Sequence, residues 1–505
     1  GVAFQDLLDE GYTIDEAIDI ASEFGGDDIV STGIKPSDIT SLDTRVTALE
    51  NVTADYDDSR VSFLSSVTPK VGYTNGGGTY LNGYALVDSG NQVRVMGVGR
   101  NYRFSNLGHL YDKFYVINLP DHDIDDKITS LTLAPYNLGV ITQSGKAYIS
   151  GFNGHGQAAI NSTPSLPSKI YRGEHNYMTQ VNHNVGIKKM IFGSVNCYQI
   201  LYIDNNDTLW GAGWNVHGYI FGQGKLYGSY YDETTYGSAG WPSSSYNSSK
   251  QMIWIMGGVK DAVIGGVYYG YPHIRGTAYA YNFTTYVLKN NGELWTCGYN
   301  GYGQRGTGNN TSSNEYSRTT TNIDRFKVNY SHNTGTVYAL KGIDLYSWGY
   351  NRWGQTGENI ANNTGGTSTS QSGYVTTPTL VLNSVRDFWC TDGDDEGACF
   401  VATFGDAAVP ASLYVAGYNY YGSLGTGDTT HVTAGFTSIS LPTSPKGLTS
   451  TQIVNNIIDI KFAGRYSTYI LYKDADGKGK LLVSGYNGYG QLGLGDVLSR
   501  KTFKI

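Results

Sequence analysis

Two periodicities divide the chain. Over roughly the first seventy residues apolar side chains recur at steps of three and four, and beyond Val71 they alternate within short runs bounded by Gly, Asn, Asp and Ser. Thr13-Ile14-Asp15-Glu16 fits a capping box, with Thr13 as the N-cap and Glu16 three positions on. Ile14, Ala17, Ile18 and Ala21 keep helical spacing up to Phe24, and Gly25-Gly26 stop the helix. Phe4, Leu7 and Leu8 suggest a shorter helical turn before it. Residues 1–35 therefore read as a helical anchor, too small to bury a core of its own. Pro36 opens a further helical stretch in which Ile39, Leu42, Val46 and Leu49 step by three, four and three, an a/d seam. We expect residues 36–67 to be an oligomerising coiled-coil helix. The other use of such a seam is as a packing face on its own domain.

The remainder repeats. A Gly-x-Asn element occurs at Gly99, Gly151, Gly213, Gly298, Gly349, Gly417 and Gly485, in steps of 51 to 85 residues. Upstream of each lie an apolar run, a polar turn and a second run. Thr285-Tyr286-Val287-Leu288, then Lys289-Asn290-Asn291-Gly292, then Glu293-Leu294-Trp295 is one example. Such a pattern makes a hairpin that enters a Gly-rich loop. The better copies continue with Gly-Gln-x-Gly, at Gly303–Gly306 and Gly490–Gly493. Three or four strands per unit of about 50 residues, seven times over, is the arithmetic of a propeller.

At this point a resemblance becomes specific. Gly485-Tyr486-Asn487-Gly488-Tyr489-Gly490-Gln491-Leu492-Gly493-Leu494-Gly495-Asp496 resembles the signature of the regulator of chromosome condensation repeat, and 298–306 and 417–428 are similar to it. The resemblance covers about residues 71–505 and implies an all-β fold, a seven-bladed β-propeller over 68–505. It sits behind a short α-helical anchor and coiled-coil segment. Because the last signature is followed only by Val497–Ile505, we expect Thr502–Ile505 to pair into the first blade, near Tyr80–Val95, and close the ring. The downstream Gly-Gln is replaced by Arg103-Phe104-Ser105 in the first copy and by Gly218-Tyr219 in the third.

Composition narrows the function. Glycine is 67 of 505 residues, against an ordinary share of about 7%, and charged residues are 15%, against about 25%. Aromatic content is mostly hydroxylated, with 43 Tyr against 16 Phe and 8 Trp. A net charge of -8 gives no general attraction to nucleic acid, and no apolar run is long enough for membrane insertion. The four cysteines form no CxxC, so neither a metal site nor a cofactor is expected; Cys390 and Cys399 could close a small loop. No Gly-x-Ser-x-Gly, His-Glu-x-x-His or P-loop is present, and we expect no enzyme activity. Asp474-Ala475-Asp476-Gly477 looks like part of a calcium loop but falls where each unit has its hairpin turn. Asp392–Glu396, an acidic run between two cysteines, reads as a solvated loop.

Candidate ligand-binding residues come from two places. Two positions after each motif Asn stand Arg103, His155, His217, Tyr302, Trp353, Tyr421 and Tyr489. Symmetry puts them on one face of the ring, where they can stack on sugars or simply pack the loops. The insertion Gln223–Lys250 adds Tyr227, Tyr230, Tyr231 and Trp241 on a Gly- and Ser-rich loop of the kind that binding surfaces use. Ser41–Glu50 resembles short trimeric coiled coils of phage fibres. The expectation is therefore a bacteriophage virion protein, a fibre or spike on the particle surface. It would be a homotrimer tied to other virion proteins through residues 1–35, with a head that binds a host-surface receptor or glycan. The alternatives are a cellular propeller for guanine-nucleotide exchange or protein interaction, the activity the repeat family implies, and a bacterial surface adhesin.

Overall fold

A computed structural model of the chain describes residues 61–67, 83–98, 110–134, 137–151, 156–159, 178–181, 183–193, 199–215, 218–222, 248–266, 268–269, 280–331, 334–391, 396–444, 447–463 and 466–505. The helical anchor, the seam of Ile39, Leu42, Val46 and Leu49, and the coiled-coil resemblance lie outside these residues.

Seven four-stranded antiparallel sheets follow one another along the chain as the blades of a propeller. Blade 1 comprises Val61–Val67, Gly83–Asp88, Val93–Val98 and Leu110–Ile117. Blade 2 comprises Ile128–Leu133, Asn137–Thr142, Ala147–Gly151 and the short Thr179–Gln180. In blade 3 the strands are Ile187–Phe192, Gln199–Asp204, Leu209–Trp214 and Ser248–Met256. Blade 4 has Val259–Gly265, Thr284–Lys289, Leu294–Gly298 and Ser313–Thr320, with a two-stranded ribbon, Tyr268–Tyr269 and Ala280–Tyr281, inserted after its first strand. Blade 5 has Arg325–Tyr330, Gly335–Lys341, Asp344–Tyr350 and Tyr374–Leu382. Blade 6 has Val385–Cys390, Ala398–Thr403, Leu413–Gly417 and Val432–Ile439. Blade 7 has Ile457–Ala463, Ser467–Lys473, Gly479–Gly485 and Arg500–Lys504.

The middle strands are most deeply buried where a sheet lies between two others, and in blade 7 Leu471 and Leu481 leave one face exposed. Gln199–Asp204 and Ala398–Thr403 are buried at every position. The apolar clusters lie between blades. One joins Leu201, Trp214 and Phe221 of blade 3 to Ala262, Phe283 and Val287 of blade 4. Another joins Phe400, Leu413 and Val415 to Ile460, Ile470 and Leu482 across blades 6 and 7. First strands of blades 3 to 7 touch in succession, which places them toward the ring's centre. A short helix, Ser450–Asn455, caps the blade 6–7 junction and buries Ile453 and Val454 there. Thr449 and Gln452 form its capping box.

Three expectations change. The strand after each motif completes its own blade instead of opening the next. Consequently Arg500–Lys504 pairs with Gly479–Gly485 of blade 7, not with blade 1. The end of the expected coiled-coil span, Val61–Val67, is a strand and lies beside Gly83–Asp88 in the blade 1 sheet. A strand turns its side chains to alternate faces, a period of two that cannot continue a helical seam. The first motif copy also moves. In blades 3 to 7 the third strand bulges against the fourth at the motif glycine, as at Gly298 and Gly349. In blade 1 that bulge falls at Gly97, two residues before the glycine of the expected first copy, and Gly99-Arg100-Asn101 lies outside the described residues.

Phe503 carries the final strand's attachment. It is 2% exposed and sits edge-on to Phe400 with ring centres 6.3 Å apart. Phe503→Ala should destabilise the protein by about 3–5 kcal/mol, the usual cost of emptying a buried aromatic site. Denaturant unfolding measures this. A loss below about 1 kcal/mol would show that the strand adds little to blade 7.

Candidate recognition face

In blades 4 to 7 the motif loop joins the third and fourth strands, and one buried asparagine organises each loop. In blade 4, Asn300 Oδ1 accepts the Arg305 amide at 2.8 Å and Nδ2 donates to the Asn309 carbonyl at 2.9 Å. Asn419 repeats this with the Leu424 amide at 2.9 Å and the Thr430 carbonyl at 3.0 Å. Asn487 does so with the Leu492 amide and the Asp496 carbonyl, both at 2.8 Å. Asn351 accepts from the Thr356 amide at 3.0 Å and donates to Asn363 Oδ1 at 2.7 Å. All four side chains are buried. They satisfy backbone groups that a loop sunk between blades cannot give to water. The preceding glycine is obligatory on two counts. Gly349 has φ 98°, and a Cβ there would lie 2.0 Å from the Gly335 carbonyl oxygen.

The motif glutamine adds a second brace. Gln304, Gln355 and Gln491 each accept, through Oε1, the amide of the residue two before them, at 2.9, 2.9 and 3.0 Å. Those residues are Tyr302, Trp353 and Tyr489. The candidate side chains thus stand on backbone that is pinned from both sides.

Their rings bridge the blades. Tyr302 meets Tyr350 of blade 5 edge-on at 5.2 Å and Tyr374 at 6.2 Å. Trp353 meets Tyr418 and His431 of blade 6 at 5.4 and 4.7 Å. Tyr421 meets Tyr466 and Tyr486 of blade 7 at 4.6 and 5.0 Å. Arg352 lies over Trp353, its guanidinium carbon 4.7 Å from the ring centre. Tyr489 leans on Tyr486 at 5.9 Å and is 88% exposed. Blades 4 to 7 therefore share one aromatic row, half-buried along most of its length and open at Tyr489.

His155, His217, Tyr227, Tyr230, Tyr231 and Trp241 lie outside the described residues. Ser248, Ser249 and Lys250, the expected end of the insertion, belong instead to the fourth strand of blade 3. Asp474 is a turn residue: its Oδ1 accepts the amides of Asp476 and Lys478, each at 2.9 Å. Asp88 and Asp204 hold the matching turns of blades 1 and 3 in the same way. Among the described residues, no group of three His, Cys, Asp or Glu side chains is placed to hold a metal ion.

Two participants escaped sequence reasoning. Arg305 fills the x of Gly-Gln-x-Gly, where blade 7 has Leu492, and is 4% exposed. Its guanidinium donates to Ser317 Oγ at 2.6 Å and to the carbonyls of Thr311 and Thr296 at 3.3 and 3.4 Å. Burial pushes its pKa down from the ordinary value. His431 is the second. Its Nδ1 accepts the Asn419 amide at 3.0 Å, and its ring stacks on Tyr418 at 4.6 Å. The only sequence signal was position, since Ser312 and Ser499 give the same amide acceptor to Asn300 and Asn487 at 3.1 Å.

No family model matches the chain, and no curated protein matches it in sequence. Solved structures are similar to it. Human WBSCR16 is 16% identical with a TM-score of 0.47, over 81% of this chain and 89% of that one. Prp20p from Saccharomyces cerevisiae, described with its binding properties to Gsp1p and histones, is 14% identical with a TM-score of 0.46, over 72% and 76%. Yeast RCC1 (Prp20) bound to Kap60 is 15% identical with a TM-score of 0.44, over 72% and 74%. These include propellers of the regulator of chromosome condensation kind.

Burial holds the His431 pKa below its ordinary value. The Tyr418 and Trp353 rings packed against it shut water away from a charged imidazole. A base depressed on folding keeps its full contribution above its unfolded pKa of about 6.5 and loses stability as pH falls below that. Protonation also turns Nδ1 into a donor facing the Asn419 N–H. His431→Ser retains an acceptor, as blades 4 and 7 do. Between pH 7.5 and 5.5 the wild-type denaturation midpoint should therefore fall further than that of the variant. Equal falls would clear His431 of the effect.

Proposed function

We propose that this protein is a recognition propeller without catalytic activity, and that the aromatic row of blades 4 to 7 binds a carbohydrate on a host cell surface. One observation carries the reading. A rigid row of hydroxylated rings and one tryptophan ends at Tyr489, an aromatic left 88% exposed on a braced loop. Flat aromatic faces with polar tips suit the apolar faces and hydroxyls of sugar rings. Preorganised loops lose little conformational freedom when a ligand docks.

The rest of the proposal concerns setting. Residues 1–60 mount the head, as a trimer, on a bacteriophage particle, where several heads raise avidity by about 10²–10⁴. The support is the composition of the head and the Ser41–Glu50 resemblance. A cellular interaction propeller is the competing reading, and it places the partner among proteins.

Glycan microarrays probed with the full chain, followed by calorimetry on the best ligand, test the proposal. Tyr489→Ala alters an exposed side chain and should leave folding intact. It should weaken binding about thirtyfold, the equivalent of about 2 kcal/mol for an anchoring aromatic. No glycan bound, or unchanged affinity in the variant, removes the carbohydrate assignment. Faster nucleotide release from a GDP-loaded small GTPase would favour the exchange reading instead.

A further inference from the structure

Blade 6 holds two cysteines directly across from each other. Cys390 ends its first strand and Cys399 lies in its second, and the two are register partners. Neither is in a disulfide. The hydrogen-bonding pattern tells which kind of pair they are. The next pair toward the loop, Thr391 and Ala398, is the hydrogen-bonded one, since the Thr391 amide donates to the Ala398 carbonyl at 3.0 Å. In an antiparallel ladder the classes alternate, so Cys390 and Cys399 form a non-hydrogen-bonded pair, with Cα atoms about 4.5 Å apart. That falls within the span of about 4.4–6.8 Å that a disulfide bridges. Opposed residues point to the same face, and both thiols pack in one apolar cluster with Tyr338, Phe388 and Val401.

We propose that Cys390 and Cys399 are an oxidisable pair that closes into a cross-strand disulfide with a low-molecular-weight disulfide such as oxidised glutathione. Cys390 is half-buried and Cys399 fully buried, so Cys390 reacts first. Its thiolate attacks one glutathione sulfur, breaking that S–S bond and releasing one glutathione thiolate. Cys399 then loses its proton and attacks the Cys390 sulfur, and a second glutathione leaves. Two cysteine thiols lose two electrons, one glutathione disulfide gains them, and the two cysteine protons end on the two released thiols. Burial keeps the Cys399 thiol well above its ordinary pKa, which makes the second step the slow one.

The location gives the bond a consequence. The short segment Glu396–Ala398 that leads into Cys399 reaches the recognition face, where the Gly397 carbonyl accepts the Tyr418 amide at 3.0 Å. Tyr418 is the ring against which Trp353 and His431 pack. A bond between Cys390 and Cys399 would fix the root of that segment beneath the aromatic row. The inference does not depend on what the row binds.

The test uses the full wild-type chain, incubated with excess oxidised glutathione at pH 8.5, alkylated, digested without reduction and mapped by mass spectrometry. The expected product is a peptide pair linked through Cys390 and Cys399, lost on reduction, with both residues protected from alkylation. A Cys399→Ser protein should instead hold glutathione on Cys390, which distinguishes the two steps. If both cysteines of the wild type remain alkylatable, or Cys390 stays glutathionylated beside a free Cys399, the proposal is overturned.

Discussion

The seven-blade ring depends on closing a long polar loop inside an apolar junction. The motif loops of blades 4 to 6 drop against the next blade, where unpaired amides and carbonyls cost about 1–3 kcal/mol apiece. A single asparagine resolves this, because its amide both accepts and donates. Asn300, Asn351, Asn419 and Asn487 each take the amide five residues on and give their own N–H groups back to the loop. Aspartate could accept but not donate, and serine is too short to span the loop. The glycine before each asparagine lets the third strand run against a neighbouring carbonyl.

That constraint also explains why the aromatic residues are ordered. Tyr302, Trp353 and Tyr489 follow the asparagine by two, and their amides are taken by the glutamine two further on. The chain thus has no freedom at the positions where its rings emerge. Tyr302 and Trp353 use this rigidity to lock one blade to the next. Tyr489 shares the loop geometry but is left open. Packing and recognition are therefore not rival uses of this position. The same brace serves both, and exposure decides which one a given ring performs.

The repeat number, the hairpins and the motif loops were legible in the sequence because they depend on local chemistry: Gly at the strand's end, Asn behind it, apolar runs ahead. Strand allegiance was not. Shifting every blade by one strand leaves seven motifs and four strands per unit, so periodicity alone cannot tell a strand that ends a blade from one that begins the next. The outer strands compound this, since Ser313–Thr320 and Val432–Ile439 are half-exposed and polar, with no buried face to declare their partner. Arg305 escaped for another reason. A buried guanidinium held by carbonyls and one hydroxyl looks, in sequence, like a surface residue. The cysteine pair needed a register, which only the sheet supplies.

Amide hydrogen exchange on the propeller tests the central claim most directly. The claim makes the amides of Arg305, Thr356, Leu424 and Leu492 part of the rigid core, although they lie in glycine-rich loops. They should exchange as slowly as amides of the flanking third strands, such as Trp348 and Val415, opening only with the blades themselves. If these four amides instead exchange as fast as exposed turns such as Gly477, the asparagine does not hold the loop, and the aromatic row loses its rigid base.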